Sequence, residues 1–248
     1  MKAIGLAKRA PARVPADMRV YAVGDIHGCA ALLDLMHARI AEDAKDVHAD
    51  RRVVYLGDYI DRGNDSKGVI DRVRSKVPAG FTAHYVKGNH DAALLDFLED
   101  PETYRAWRSF GAADTLISYG VRPPLYDSEE QRIAARDALK RALPPEHLAF
   151  FRALELKVTL GDYVFVHAGI RPGISMESQS EEDLLWIRDE FLASTLVHEK
   201  VVVHGHTPLS GPVRTANRIS IDTGAYATGI LTCAVLEGTT CRFLQARI

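Results

Sequence analysis

The sequence predicts an α/β domain, and three observations carry that prediction. Short apolar runs bounded by glycine or aspartate alternate with amphipathic stretches in the N-terminal third. A long middle segment is helical in pattern throughout. The C-terminal third returns to apolar runs, the last of them with strand-like alternation.

Residues 1–17, "MKAIGLAKRAPARVPAD", are basic and rich in proline and alanine, and are expected to form a mobile arm. Residues 18–248 are expected to form one domain, a size that supports a large single core. "MRVYAVGD", "RRVVYLGD", "TAHYVKGN", "GDYVFVHAG" and "KVVVHGHT" read as buried parallel strands. Between the first two, "AALLDLMHARIAEDA" sets Leu32, Leu33, Leu35, Met36 and Ile40 on a broad apolar helical face. "KGVIDRVRSKV" is the second crossover helix. Strand, helix, strand, helix, strand implies right-handed crossovers in a parallel sheet. Residues 92–160 break this rhythm. Their helical patterns are punctuated by Pro101, Pro123, Pro124, Pro144 and Pro145, with apolar positions Trp107, Phe110, Leu139, Leu148, Phe150 and Phe151. They predict a helical insertion, serving as a cap on the core, a wall over a site, or both. "RISIDTG", "LTCAVLEG" and "TCRFLQAR" are expected as an antiparallel continuation.

Composition narrows the class. Apolar residues make up 47% and charged residues 26%, with a formal net charge of -2. No global field draws the chain to nucleic acid or an anionic membrane. No apolar run reaches the roughly 18 residues of a membrane span, and the N-terminus lacks a signal-peptide stretch. Cys29, Cys233 and Cys241 form no C-x-x-C pair. A disulfide framework or thiolate zinc site is not expected, and a reducing cytoplasm fits.

Five of the strands finish in polar residues beside glycine. They are Asp25 and His27; Asp58, Asp61 and Arg62; Asn89, His90 and Asp91; His167; and His204 and His206. In open parallel sheets, sites form outside the carboxyl ends of strands. Each ending alone has a structural reading, and Asp91 is read as capping the helix that follows it. Together they are costly to bury unpaired. Carboxylates, imidazoles and one amide suit manganese, iron or zinc, and not calcium. The donors outnumber the needs of one four-coordinate ion, so two ions sharing a carboxylate is the economical arrangement, suited to phosphoryl chemistry. The remaining histidines, His37, His48, His84, His147 and His198, are read as ordinary surface or core residues.

The blocks "GDIHG", "GDYIDRG", "GNHD", "HAG" and "GHTP" resemble, in order, the signature blocks of the phosphoprotein phosphatases within the calcineurin-like metallophosphoesterases. The resemblance spans about Asp25 to Tyr226. It implies a central β-sandwich flanked by helices, with a dimetal site at the sheet edge. It implies Asp25 and His27 as ligands of one ion, Asp58 as the bridge, and Asn89, His167 and His206 as ligands of the other. His204 and His206, two apart on one strand, are expected on the same face, which sets His204 in support of the site. It implies that a metal-bridging hydroxide attacks phosphorus in line with the leaving oxygen. Arg62 would clamp phosphate, and His90, oriented by Asp61, would protonate the leaving group. Arg171 and Arg188 are both candidates for a second phosphate-binding arginine, each with a structural reading beside it, and Tyr226 aligns near the phosphate. Lys87 and Asp91 depart from the eukaryotic pattern, whereas "HGHTP" and "IDTGAYATGILT" look bacterial. The expected activity is hydrolysis of phosphomonoesters, foremost phosphoserine and phosphothreonine in proteins, including phosphotyrosine as a further substrate. Symmetrical cleavage of diadenosine tetraphosphate is the alternative, and a non-catalytic metal-stabilised module a distant third. Expected partners are phosphoproteins or small phosphoesters, not nucleic acid or membrane.

Overall fold

The computed structural model describes residues 11–248. Along the chain the strands are β1 (Met18–Val23), β2 (Asp50–Tyr55), β3 (Phe81–Tyr85), β4 (Lys157–Leu160), β5 (Tyr163–Val166), β6 (Val201–His204), β7 (Val213–Arg214), β8 (Arg218–Ser220), β9 (Ile230–Glu237) and β10 (Thr240–Arg247). Among the described residues they form two mixed sheets, ordered β10-β9-β1-β2-β3 and β4-β5-β6-β8-β7. In the first, β1, β2 and β3 are parallel, with Met18 opposite Asp50 and Arg51 opposite Phe81. The crossovers are helices α1 (Ala30–Asp43) and α2 (Ser66–Ser75). In the second, β5, β6 and β8 are parallel.

Two packed sheets flanked by helices are the β-sandwich that the family resemblance implies, and the five strands read as parallel are shared between them; β8 is parallel where an antiparallel strand was expected. Alternation of side chains explains the division. Val20 and Ala22 of β1, with Val54 of β2, turn inward and meet Phe165, Val203 and Ile219 of the other sheet. Tyr21, Val23, Val53 and Tyr55 turn outward onto α1 and α2. On the far side, Val164, Val166 and Val202 pack on Leu184, Ile187 and Phe191.

The insertion contains α3 (Asn89–Glu99), α4 (Tyr104–Trp107), α5 (Ala112–Ser118), α6 (Glu129–Ala142) and α7 (Pro145–Arg152). Its helical part ends at Arg152, earlier than expected, because Lys157–Leu160 turn through Gly161 and pair antiparallel with β5. β4 buries only Val158, so it lacks the unbroken apolar run that marks the equally short β5 and β6. α6 is bounded by its own chemistry. Ser128 caps it by accepting from the Gln131 N–H, Glu129 and Glu130 occupy its first turn, and Lys140 and Arg141 its last.

Residues 1–10 of the expected arm lie outside the described residues. Residues 11–17 are tied down: the Val14 N–H donates to Gly238 O at 3.1 Å, the Arg13 N–H to Asp162 Oδ2 at 3.0 Å, and Val14 is buried between the sheets.

Candidate active site

The carboxyl ends of both sheets arrive at one edge. The His27 N–H donates to Asp58 O at 2.9 Å, joining the ends of β1 and β2. The His206 N–H donates to Asp25 Oδ2 at 2.9 Å, joining β6 to β1 across the sandwich. The backbone there is held in an uncommon conformation. His27, Asp58, Asp61, Arg62 and His206 have φ of 46°, 50°, 70°, 65° and 66°. Positive φ costs a non-glycine residue about 1 kcal/mol or more, and such strain gathers at functional sites.

Asp58 is the centre of the cluster. Its Oδ2 lies 3.4 Å from His167 Nε2, 3.5 Å from His27 Nε2 and 3.7 Å from His90 Nε2. Asn89 Oδ1 lies 2.8 Å from His167 Nε2 and 2.9 Å from His206 Nδ1. Two compact donor groups result, His27–Asp58–His90 and Asp58–His167–His206, with Asp58 common to both. Backbone carbonyls aim the rings: His167 Nδ1–H donates to Leu56 O at 2.8 Å and His27 Nδ1–H to Ile60 O at 2.9 Å. Each ring therefore turns a bare Nε2 lone pair toward Asp58.

These groups are buried and electrostatically unhappy together. Burial, then the charges of Asp222 and Asp58, pushes the Asp25 carboxyl well above its ordinary range. Burial, then Asp91, does the same to Asp58. Burial lowers the His167 and His90 imidazoles to about 3, and lowers His27 and His206 too. The His27, His167 and His206 imidazoles are thus kept neutral, the form that binds metal.

Most sequence-derived candidates meet here. Asp25, His27, Asp58, Asp61, Asn89, His90, His167 and His206 are buried around the same point. His90 Nδ1 lies 2.7 Å from Asp61 Oδ2. Arg62 donates to Tyr226 OH at 2.5 Å, and its guanidinium lies over the Tyr226 ring. Arg188 donates to His206 O at 3.3 Å, and its charge reaches His90 and Asp222. Arg171 is not brought to the site: Asp183 and Glu190 occupy its guanidinium at 2.5 and 2.8 Å. His204 also faces away. Its Nε2 meets Ser220 Oγ at 2.7 Å and its ring packs on Phe191. The shared strand face expected for His204 and His206 fails because β6 ends at His204 and His206 has positive φ. Asp91 sits in the first turn of α3 and accepts from the N–H groups of Gly88, Asp58 and Tyr59.

Four further residues belong to the site and were not singled out as such from sequence. Asp222 follows β8 as the other acids follow their strands, so the same signal was present in "IDTG". Trp107 and Thr115 reach Asp61 from the insertion, and Phe110 packs on the His90 ring. No sequence pattern places an insertion residue against a particular loop.

The family model for calcineurin-like phosphoesterases matches residues 18–231. The chain belongs to that family. As a calcineurin-like phosphoesterase it is a phosphoester hydrolase. Serine/threonine-protein phosphatase 1 of Salmonella typhimurium is 30% identical over 88% of this chain and 92% of its own. The asymmetrical bis(5'-nucleosyl)-tetraphosphatase PrpE of Geobacillus thermodenitrificans is 26% identical over 87% of this chain and 89% of its own. The symmetrical bis(5'-nucleosyl)-tetraphosphatase of Methylococcus capsulatus is 31% identical over 65% of this chain and 46% of its own. A metallophosphoesterase structure from Sphaerobacter thermophilus superimposes with a TM-score of 0.52 at 19% identity, over 94% of this chain and 89% of that one.

Calcineurin-like phosphoesterases bind two divalent metals, and the donors of this chain fit such a pair. Asp25 Oδ1 and His206 Nε2 are buried and have no hydrogen-bond partner among the described residues. His167 Nε2, Asp58 Oδ2 and Asn89 Oδ1 bring three lone pairs together, with the imidazole proton engaged elsewhere. A cation relieves that crowding, and neutralises the carboxylates whose ionisation burial opposes.

Proposed function

We propose that this phosphoesterase is a dimetal-dependent phosphatase of phosphomonoesters, foremost phosphoserine and phosphothreonine in proteins, and of phosphotyrosine where it fits. The observation that carries this reading is the juxtaposition of a shared-carboxylate donor cluster, two arginines and an Asp61–His90 pair at one sheet edge. Asp25, His27 and Asp58 would hold one ion; Asp58, Asn89, His167 and His206 would hold the other. Manganese suits the mixed oxygen and nitrogen donors, with iron or zinc as alternatives. When bound, the ions supply Lewis acidity toward a phosphoryl oxygen and acidify a water for direct in-line attack.

The chain's own residues do the rest. Arg62 presents a planar fork to two phosphate oxygens, and Tyr226 braces that fork. Arg188 supplies the second positive charge. His90 Nε2 faces the cluster; once protonated, it delivers that proton to the leaving oxygen, while Asp61 accepts from Nδ1–H, fixes the ring and offsets the imidazolium charge. The three unpaired cysteines fit a cytoplasmic setting.

The second reading is hydrolysis of dinucleoside tetraphosphates, favoured by the tetraphosphatase relatives. A non-catalytic module is disfavoured, because it has no use for Asp61, Arg62 and His90 together. The test sets phosphoserine and phosphothreonine peptides beside diadenosine tetraphosphate, with manganese, in parallel steady-state assays. Phosphate release from the peptides is expected. Turnover of the dinucleotide alone would overturn the first reading in favour of the second.

A further inference from the structure

We infer that Trp107 and Thr115, both from the helical insertion, are positioning residues that orient the Asp61–His90 pair. This inference rests on the reading of His90 as the proton donor. Asp61 is fully buried, and each of its oxygens is taken. Oδ2 accepts from Trp107 Nε1–H at 2.8 Å and from His90 Nδ1–H at 2.7 Å. Oδ1 accepts from Thr115 Oγ1–H at 2.5 Å. The same Thr115 oxygen accepts in turn from the Asp61 N–H at 2.9 Å and meets Ser66 Oγ at 3.1 Å. The insertion thus holds both the side chain and the backbone of Asp61.

Those contacts fix a direction. A buried carboxylate can turn about its last bond, and His90 follows wherever the accepting oxygen goes. With Oδ1 tied to Thr115 and Oδ2 shared with Trp107, one plane remains, and it aims His90 Nε2 at the side of Asp58. Trp107 itself is fully buried. Its ring packs 5.2 Å from Phe97 of α3, the helix that carries His90, and against Tyr104. A second feature points the same way. Gly111, between Trp107 and Thr115 in sequence, has φ of 102°, and a Cβ on it would lie 2.8 Å from the Arg62 N. The insertion backbone therefore lies directly on the positive-φ turn of Asp61 and Arg62. The resulting assignment is specific: an indole and a hydroxyl, neither touching substrate, set the angle at which the leaving group receives its proton.

The experiment compares a phosphoserine peptide, which has a poor leaving group, with p-nitrophenyl phosphate, which has a good one. The manganese-loaded enzyme is used throughout, with His90→Asn alongside. Trp107→Phe keeps an aromatic ring, though a smaller one, and removes the donor. Its kcat on the peptide is expected to fall about 10-fold and on the aryl ester less than about 3-fold, with KM and the manganese titration midpoint unchanged. In a His90→Asn background, Trp107→Phe is expected to cost nothing more. Thr115→Val should repeat the pattern and Thr115→Ser should restore the peptide activity, so the test stands even where Trp107→Phe does not fold. Equal losses on both esters, or effects that multiply with His90→Asn, would overturn the positioning role. A failure of His90→Asn itself to distinguish the esters would instead remove the proton-donor reading, and this inference with it.

Discussion

At the scale of residues, the site depends on side chains that are absent as much as on those present. A Cβ on Gly88 would lie 2.1 Å from Asp58 Oδ1 and 2.3 Å from the Asp58 N, distances no packed structure sustains. Gly88→Ala must therefore push Asp58 away from His27 and His167. We expect manganese affinity, measured by calorimetry, to fall at least about 10-fold while far-ultraviolet dichroism stays native. Unchanged affinity would mean that Asp58 is not the residue on which the ions depend. The residue types of the cluster were legible in the sequence, because acids, imidazoles and an amide after apolar strands have few structural uses. Which of two neighbouring candidates faces the cluster was not. Arg171 and Arg188 read alike until Asp183 and Glu190 are seen to hold the first. His204 and His206 read as one face until the left-handed turn at His206 separates them.

At the scale of elements, the insertion links stability to the site. α6 is solvated on much of its surface, and its register depends on its N-terminal cap. Ser128→Ala removes the acceptor for the Gln131 N–H and is expected to cost about 1 kcal/mol, read as a lower urea midpoint with an unchanged slope. A changed slope would mean that the insertion unfolds apart from the sandwich. The crossover helices and most strands were legible from period and length, since α1 and α2 each bury one face on an apolar sheet. β4 and β7 escaped because β4 buries only Val158 and β7 is two exposed residues, so neither shows the apolar run that revealed the equally short β5 and β6.

At the scale of the whole molecule, burial of imidazoles makes the fold acid-sensitive, and one of them lies well away from the metal-binding cluster. His37 is buried under β2, with Nε2 2.7 Å from Tyr55 OH. Burial lowers it from 6.5 to about 4. Its unfolded form takes up a proton first as pH falls, so the folded state keeps its full advantage above pH 6.5. That advantage is lost progressively between pH 6.5 and 4, by about 2 kcal/mol at pH 5. His37→Gln is expected to remove this share of the acid sensitivity, measured as the change in unfolding free energy between pH 7.5 and 5 for variant against parent. Identical pH dependence in both would show that His37 is not desolvated as its packing implies.

The sequence by itself determined the α/β class, the order of most of its strands and helices, and most of the donors that cluster at their ends. These follow from local alternation, helical period and residue chemistry, which a linear chain displays without folding. Only the tertiary structure decided which strands join which sheet, that Arg188 and not Arg171 reaches the site, and that Trp107 and Thr115 hold Asp61. Those facts concern pairs of groups far apart along the chain, and the spacing between such groups is set by how the two sheets and the insertion pack.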